Sequence, residues 1–318
     1  MSGMSTGGSQ GRVRGKIIKS LAGFYEVHTG PEIYRCRARG VFRALHAKPL
    51  VGDDVEIEIT DVVSMPKEGN VTALLPRKND LIRPNVANVD QALLLFAITR
   101  PQPSFQTLDR LLITIRQKDL PAVICFSKKD LATQKQQEEL RRTYENCGCT
   151  VLFISALEAG ENGPEQGSGE DPLGGLRAVL RGKTTVLTGP SGAGKSTLIN
   201  LLCPQANMET GGLSEKIGRG RNTTRHVELL AADENTYVVD TPGFTSLELR
   251  DIEAEDVREY YPEFAPFSGS CRFAGCNHMA EPGCAVKEAV RNGSISRIRY
   301  QNYTQIFTLL RDRKPVYH

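Results

Sequence analysis

Gly189-Pro190-Ser191-Gly192-Ala193-Gly194-Lys195-Ser196 fills every position of the phosphate-loop pattern GxxxxGK(S/T). Glycines at these positions let backbone N–H groups converge on phosphate oxygens, and the helix that follows adds its positive dipole end. The flanking sequence has the required form. Thr184 to Thr188 reads as a buried strand entering the loop, and Ser196 to Leu202 reads as a helix stopped by Pro204. In this reading residues Gly189 to Thr197 cradle phosphate, Lys195 bridges the β- and γ-phosphates, and Ser196 ligates Mg²⁺.

Asp240-Thr241-Pro242-Gly243 comes some forty residues later, closing the apolar run Tyr237-Val238-Val239. A carboxylate at a strand's C-terminal edge suits the Mg²⁺ shell, and Gly243 N–H suits the γ-phosphate. Taken alone, Pro-Gly is also a good type II turn. Phe244 occupies the position where Ras-like enzymes carry a water-orienting glutamine. Between the two motifs lies Gly218-Arg219-Gly220-Arg221-Asn222-Thr223-Thr224-Arg225. It suits a switch loop in which Thr223 or Thr224 reaches Mg²⁺ and γ-phosphate; a solvated basic loop is the plainer alternative.

The segments that would read guanine lie upstream. Ser127-Lys128-Lys129-Asp130 follows the apolar run Ala122 to Phe126, and Ser155-Ala156 follows Thr150 to Ile154. A carboxylate at Asp130 accepts from guanine N1–H and the exocyclic amine together, a donor pair adenine lacks, and leaving it unpaired would be costly. Ser127 stands where the usual NKxD pattern has Asn. An ordinary GTPase has these segments downstream of its phosphate loop. The motif order therefore describes a circularly permuted GTPase whose specificity half is made first.

A second constellation is Cys271, Cys276, His278 and Cys284, spaced C-x4-C-x-H-x5-C, which gathers four of the chain's eight Cys and five His into fourteen residues. Three thiolates and an imidazole make a closed tetrahedral zinc site with no open catalytic position. Gly275 and Pro282-Gly283 supply tight turns for ligand knuckles, whereas a disulfide pair fits poorly with a reducing cytosol. Cys125 falls in a strand and Cys203 at a helix end. Cys147 and Cys149 flank Gly148 without CxxC spacing, so all four read as core or inert thiols.

The chain has 318 residues, enough for two or three domains. It contains no apolar run of membrane-spanning length and no secretion signal, so a cytoplasmic location is expected; separately, a monomer is expected. Net charge is +3, unevenly spread: residues 11–48 hold nine Lys/Arg against Glu26 and Glu32, giving +7 there and −4 elsewhere. Residues 1–10 are Gly/Ser-rich and read as a disordered N-terminus. Over 11–76, short alternating stretches (Val13 to Ile18, Phe24 to Val27, Ile33 to Arg37, Asp54 to Ile59, Val71 to Leu74) suggest an OB-like barrel with an RNA-binding face, or a solvated sheet with scattered charge. Residues 77–250 alternate strand and helix, the pattern of a doubly wound, mostly parallel sheet with ligands at the strands' C-terminal ends. Residues 158–171 read as a loose acidic loop. Residues 251–318 read as a small zinc-stapled α domain ending in a basic helix, Ile295 to Leu310. The fold class is thus multidomain α/β.

In this order the three parts resemble the RsgA (YjeQ) family of bacterial small-subunit-dependent GTPases over about 11–318. The resemblance rests on Val51-Gly52-Asp53-Asp54-Val55, Gly189-Pro190-Ser191-Gly192, Gly218-Arg219-Gly220-Arg221, Cys276-Asn277-His278 and Glu281-Pro282-Gly283-Cys284. It implies GTP hydrolysis stimulated by the small (30S) ribosomal subunit, a role in that subunit's late maturation, and contacts to 16S rRNA from barrel and zinc domain. One departure is visible: Asn222 stands where the family usually has His before the Thr-Thr pair.

Overall fold

The computed structural model describes residues 12–38, 48–82, 84–161, 171–206, 227–240, 249 and 252–313. Thr223, Thr224, Gly243, Asn222, Phe244 and residues 1–10 lie outside these, as does most of the acidic loop.

Five strands, β1 (Arg12–Leu21), β2 (Phe24–His28), β3 (Ile33–Ala38), β4 (Asp54–Asp61) and β5 (Lys67–Leu74), close a barrel in the order β1-β2-β3-β5-β4. Alternation drives it. In β3, Tyr34 and Cys36 point into the core while Ile33, Arg35 and Arg37 face out. The outward arginines lie over the Phe24 ring, at 4.0 Å for Arg35 and 4.7 Å for Arg37.

A short ribbon, β6 (Asp80–Leu81) and β7 (Val86–Ala87), leads out of the barrel. Gly52 is at φ +92, and a Cβ there would lie 2.1 Å from the Ala87 carbonyl oxygen, so only glycine lets the two segments meet. The neighbouring Asp53 is fully buried and takes a two-pronged ion pair from Arg77, at 2.6 and 2.9 Å.

The central sheet runs β10-β9-β8-β11-β13-β12, built from β8 (Gln91–Ala97), β9 (Ala122–Ser127), β10 (Thr150–Phe153), β11 (Thr184–Thr188), β12 (Leu229–Ala231) and β13 (Tyr237–Asp240). All neighbours pair in parallel except β12, which is antiparallel to β13. β8 and β11 are buried along their whole length, as a sheet covered on both faces requires. The barrel reaches the far edge of this sheet through a backbone bridge between Lys19 and Glu228 and a 2.9 Å hydrogen bond between His28 Nδ1 and Tyr237 Oη.

Helices α1 (Phe105–Arg116) and α2 (Gln134–Tyr144) connect β8 to β9 and β9 to β10. Ser104 caps α1, and Thr133 with Gln136 forms a capping box on α2. Short α3 (Ala156–Glu161) and α4 (Gly174–Leu180) follow, and α5 (Lys195–Leu202) leaves the phosphate loop.

The C-terminal unit holds α6 (Ala265–Ser268), α7 (Ala285–Arg291) and α8 (Arg297–Arg311) around a core that includes Tyr261, Phe264, Val286 and Tyr303. Ile113 of α1 joins that core. At the seam, Asp109 of α1 is completely buried. Arg299 of α8 donates to it and, at 2.6 Å, to Glu263; Asn302, Tyr144 and Tyr261 donate to the Asp109 carboxylate as well. Burial pushes the Asp109 carboxyl upward, and Arg299 and Asn302 act against it. The C-terminal unit is therefore docked on α1 and α2 by Ile113 and by this buried ion network.

Candidate functional site

The phosphate loop starts where Gly189 passes β8. A Cβ on Gly189 would lie 2.0 Å from the Leu95 carbonyl oxygen, so the strand spacing excludes any side chain. Gly192 and Gly194 have φ of +77 and +93. Gly194 is the N-cap of α5 and offers no side-chain cap, which leaves the first-turn N–H groups directed at the loop. Lys195 Nζ donates to the Gly189 and Pro190 carbonyls at 2.9 and 2.8 Å, arching over the loop it belongs to. This cradle of left-handed glycines, helix N-terminus and ammonium suits a polyphosphate.

The upstream segments meet this loop directly. Ser127 Oγ donates to the Ala193 carbonyl oxygen at 2.6 Å, so the short hydroxyl at the Asn position reaches the phosphate loop. Lys128, in the left-handed region at φ 59, donates to Gly192 O at 2.9 Å and to Arg100 O. Asp130 is exposed and accepts from Ser155 Oγ at 2.6 Å, while Lys129 N donates to Ile154 O at 3.1 Å. Ser155 Oγ also accepts from Glu158 N, which caps α3 and fixes the Ser155-Ala156 turn. Segments more than sixty residues apart thus share one rim at the C-terminal ends of β9, β10 and β11. Asp240 ends β13, next to β11 on that same rim. Sequence reasoning missed the Arg100-Pro101 segment, which packs on Gly192: a Cβ there would be 3.3 Å from Pro101 Cδ. No motif marks it.

The second site gathers Cys271, Cys276, His278 and Cys284, whose ligand atoms all lie within 4.8 Å of one another. A zinc tetrahedron with Zn–S bonds of about 2.3 Å has S···S edges of ~3.8 Å, so this donor set fits the ion. Nδ1 of His278 faces the sulfurs of Cys271 and Cys284, at 3.7 and 3.4 Å, while Nε2 lies 3.4 Å from Ser268 Oγ. That outer partner orients the ring for ligation through Nδ1. The knuckle backbone is held by the Glu281 carboxylate, which accepts from Asn277 N and Met279 N at 2.8 Å each. Gly275 and Gly283 supply φ of +73 and +68. Burial first, and the neighbouring Cys284 and Cys271 thiols after it, push the Cys276 thiol up to about 12, whereas a dication would hold it as thiolate. Chelating the metal is expected to unfold residues 254–310 while leaving the barrel and sheet folded, because the cluster sits inside that unit's core. Hydrogen exchange before and after chelation measures this.

Rotated motif order on a doubly wound sheet, preceded by a barrel and followed by a Cys3His unit, defines a circularly permuted phosphate-loop GTPase. Comparison with known proteins agrees. Residues 74–250 match the RsgA GTPase family and residues 14–64 the RsgA N-terminal domain. The small ribosomal subunit biogenesis GTPase RsgA of Agathobacter rectalis is 45% identical over 311 residues, covering 94% of this chain and 99% of that protein. Its counterpart in Alkaliphilus metalliredigens is 44% identical, covering 92% and 96%. Among solved structures, YloQ, described as a circularly permuted GTPase, superposes with a TM-score of 0.69 at 35% identity over 99% of this chain and all of that one. YjeQ from Thermotoga maritima gives 0.70 at 33% identity, covering 95% and 100%. The chain belongs to the RsgA GTPase family and is a GTP hydrolase.

Proposed function

We propose that this protein binds the small ribosomal subunit, assists its late maturation in the cytoplasm, and hydrolyses GTP faster when bound there. The observation that carries the reading is the shared rim, where Ser127 and Lys128 hold the phosphate loop by its Ala193 and Gly192 carbonyls. One nucleotide spans both halves: Asp130 takes the guanine edge against Ser155 and Ala156, and Gly189 to Thr197 take the phosphates. Lys195 neutralises β- and γ-oxygens, and Ser196 with Asp240 holds the Mg²⁺. That ion supplies charge neutralisation at the phosphates. Thr223 or Thr224, and Gly243, complete the γ-phosphate contacts.

The barrel supports an rRNA partner, since Arg35 and Arg37 stand outward over the half-buried Phe24 ring. Many such contacts to phosphate make subunit binding strongly salt-dependent. In the boundaries we assign, 11–76 is this RNA-binding barrel, 77–250 the GTPase and 251–318 the zinc domain. Among the described residues no helix is long and apolar enough to cross a membrane. With Phe244 at the glutamine position, intrinsic turnover is slow and the subunit orders the attacking water. Steady-state GTP hydrolysis with and without purified small subunits tests this. A tenfold or larger acceleration, roughly 1.4 kcal/mol of barrier, is expected; equal rates would refute the ribosome-stimulated reading.

A further inference from the structure

Cys147-Gly148-Cys149 has no motif spacing, yet its surroundings differ from those of the other thiols. It lies between α2 and β10, with Cys147 buried and Cys149 half-buried. Arg116, in the last turn of α1, donates to the Cys147 carbonyl and to the Tyr260 carbonyl of the zinc unit. The same guanidinium places Nη2 3.5 Å from Cys149 Sγ. Gly148, at φ +74, abuts the zinc unit too: a Cβ there would be 3.3 Å from Pro262 Cγ. The Cys149 thiol lies 3.8 Å from the Cys147 carbonyl oxygen, to which it donates, and contact with Cys149 together with burial pushes the Cys147 thiol upward.

We propose that Cys149 is a hydroperoxide-reactive thiolate, resolved by Cys147 into an internal disulfide at the seam between the guanine-reading half and the zinc unit. In the first step the Cys149 sulfur attacks the peroxide O–O bond; it becomes a sulfenic acid, and the alcohol or water leaves with one proton taken up. In the second, the Cys147 sulfur displaces hydroxide from that sulfenic acid, forming S–S and releasing water with the Cys147 proton. Two thiols and one hydroperoxide give one disulfide, one water and one alcohol (or a second water). The groups around Cys149 favour its thiolate: the neighbouring Cys147 side chain first, then the positive charge of Arg116, whose Nη2 is 3.5 Å away, and of Arg299, bring it down to about 7 against the cost of burial. Cys36, Cys125 and Cys203 have only burial or weak partners, which push them up to about 12, 12 and 11. Oxidation removes the charge facing Arg116, the residue that ties this loop to Tyr260, and the seam loosens.

The test treats the zinc-loaded full chain with hydrogen peroxide, then alkylates free thiols and maps peptides by mass spectrometry. Cys147 and Cys149 are expected to disappear together as one disulfide, at least tenfold faster than Cys36, Cys125 or Cys203 are lost, with zinc retained. The rate should fall as pH drops from about 8 to about 6, following the thiolate, and Arg116→Gln should slow it roughly tenfold. Cys147→Ser should stop at a sulfenic acid trapped by dimedone, which a purely structural thiol would not yield. Loss of Cys149 no faster than Cys36, zinc release before disulfide formation, or a rate indifferent to Arg116→Gln would each overturn the assignment. Hydrogen exchange around Tyr260 should rise in the oxidised protein; unchanged exchange would overturn the loosening of the seam.

Discussion

An Arg299→Met protein is expected to lose about 3–5 kcal/mol of stability, because it strands two buried carboxylates without their cation. Arg299 is 1% exposed, and it serves Asp109 and Glu263 at once. The loss should appear as a lower urea midpoint of the zinc unit and its α1–α2 platform. Pairing the change with Asp109→Leu should recover part of it, since the unpaired buried charge is the source of the cost. A loss below about 1 kcal/mol would mean that water reaches the seam and that the zinc unit is not docked by buried charge. The expectation also bears on signalling. In sequence only a few residues separate Gly243, which we propose contacts the γ-phosphate, from the zinc unit, yet that unit's dock lies on α1 and α2. Any nucleotide-driven reorientation would have to act against the Asp109–Arg299–Glu263 network.

Asp130→Asn is expected to weaken GTP binding by roughly a hundredfold or more and to shift preference toward xanthine nucleotide. The amide loses the acceptor for guanine N1–H and offers a donor to xanthine O2. It can still accept from Ser155 Oγ, the Asp130 contact already present, so the fold is retained. Lys195→Ala should weaken both nucleotides in parallel, because its ammonium lies on the phosphate loop, bonded to the Gly189 and Pro190 carbonyls, and away from the base site. Equilibrium binding of GDP and XDP to the two variants separates base recognition from phosphate recognition. Unchanged GTP preference in Asp130→Asn would remove Asp130 from the base site.

Much of this was legible because local physics wrote it into local sequence. β11, the phosphate loop and α5 are one strand–loop–helix unit, and each part carries its own signal: buried apolar run, glycines, Lys-Ser, helical period. The four zinc donors lie within one short stretch and reveal themselves by composition. What escaped depends on contacts between distant segments. β12 begins at Leu229 and not at Val227, because Glu228 is engaged by Lys19 of the barrel. β5 begins at Lys67, four residues before the apolar pattern, since its polar Lys-Glu-Gly-Asn half pairs in parallel with β3. Asp109 and Arg299 sit in helices where charged residues ordinarily face water, and nothing local tells that they meet across 190 positions. Cys149 looks inert for the same reason: its partner Arg116 belongs to α1, more than thirty residues earlier in the chain.

The central claim is that two halves in rotated order assemble one guanine-nucleotide site. The most direct measurement is equilibrium competition at the wild-type protein, with GDP, ADP and inorganic pyrophosphate each displacing a fluorescent GDP. The account predicts that GDP competes at least a thousandfold better than ADP, a difference of about 4 kcal/mol, because Asp130 rejects adenine while the loop holds both diphosphates alike. Pyrophosphate, which engages only the loop, should compete weakly. ADP and GDP competing equally would contradict it, since the phosphate loop would then be binding without the half that precedes it.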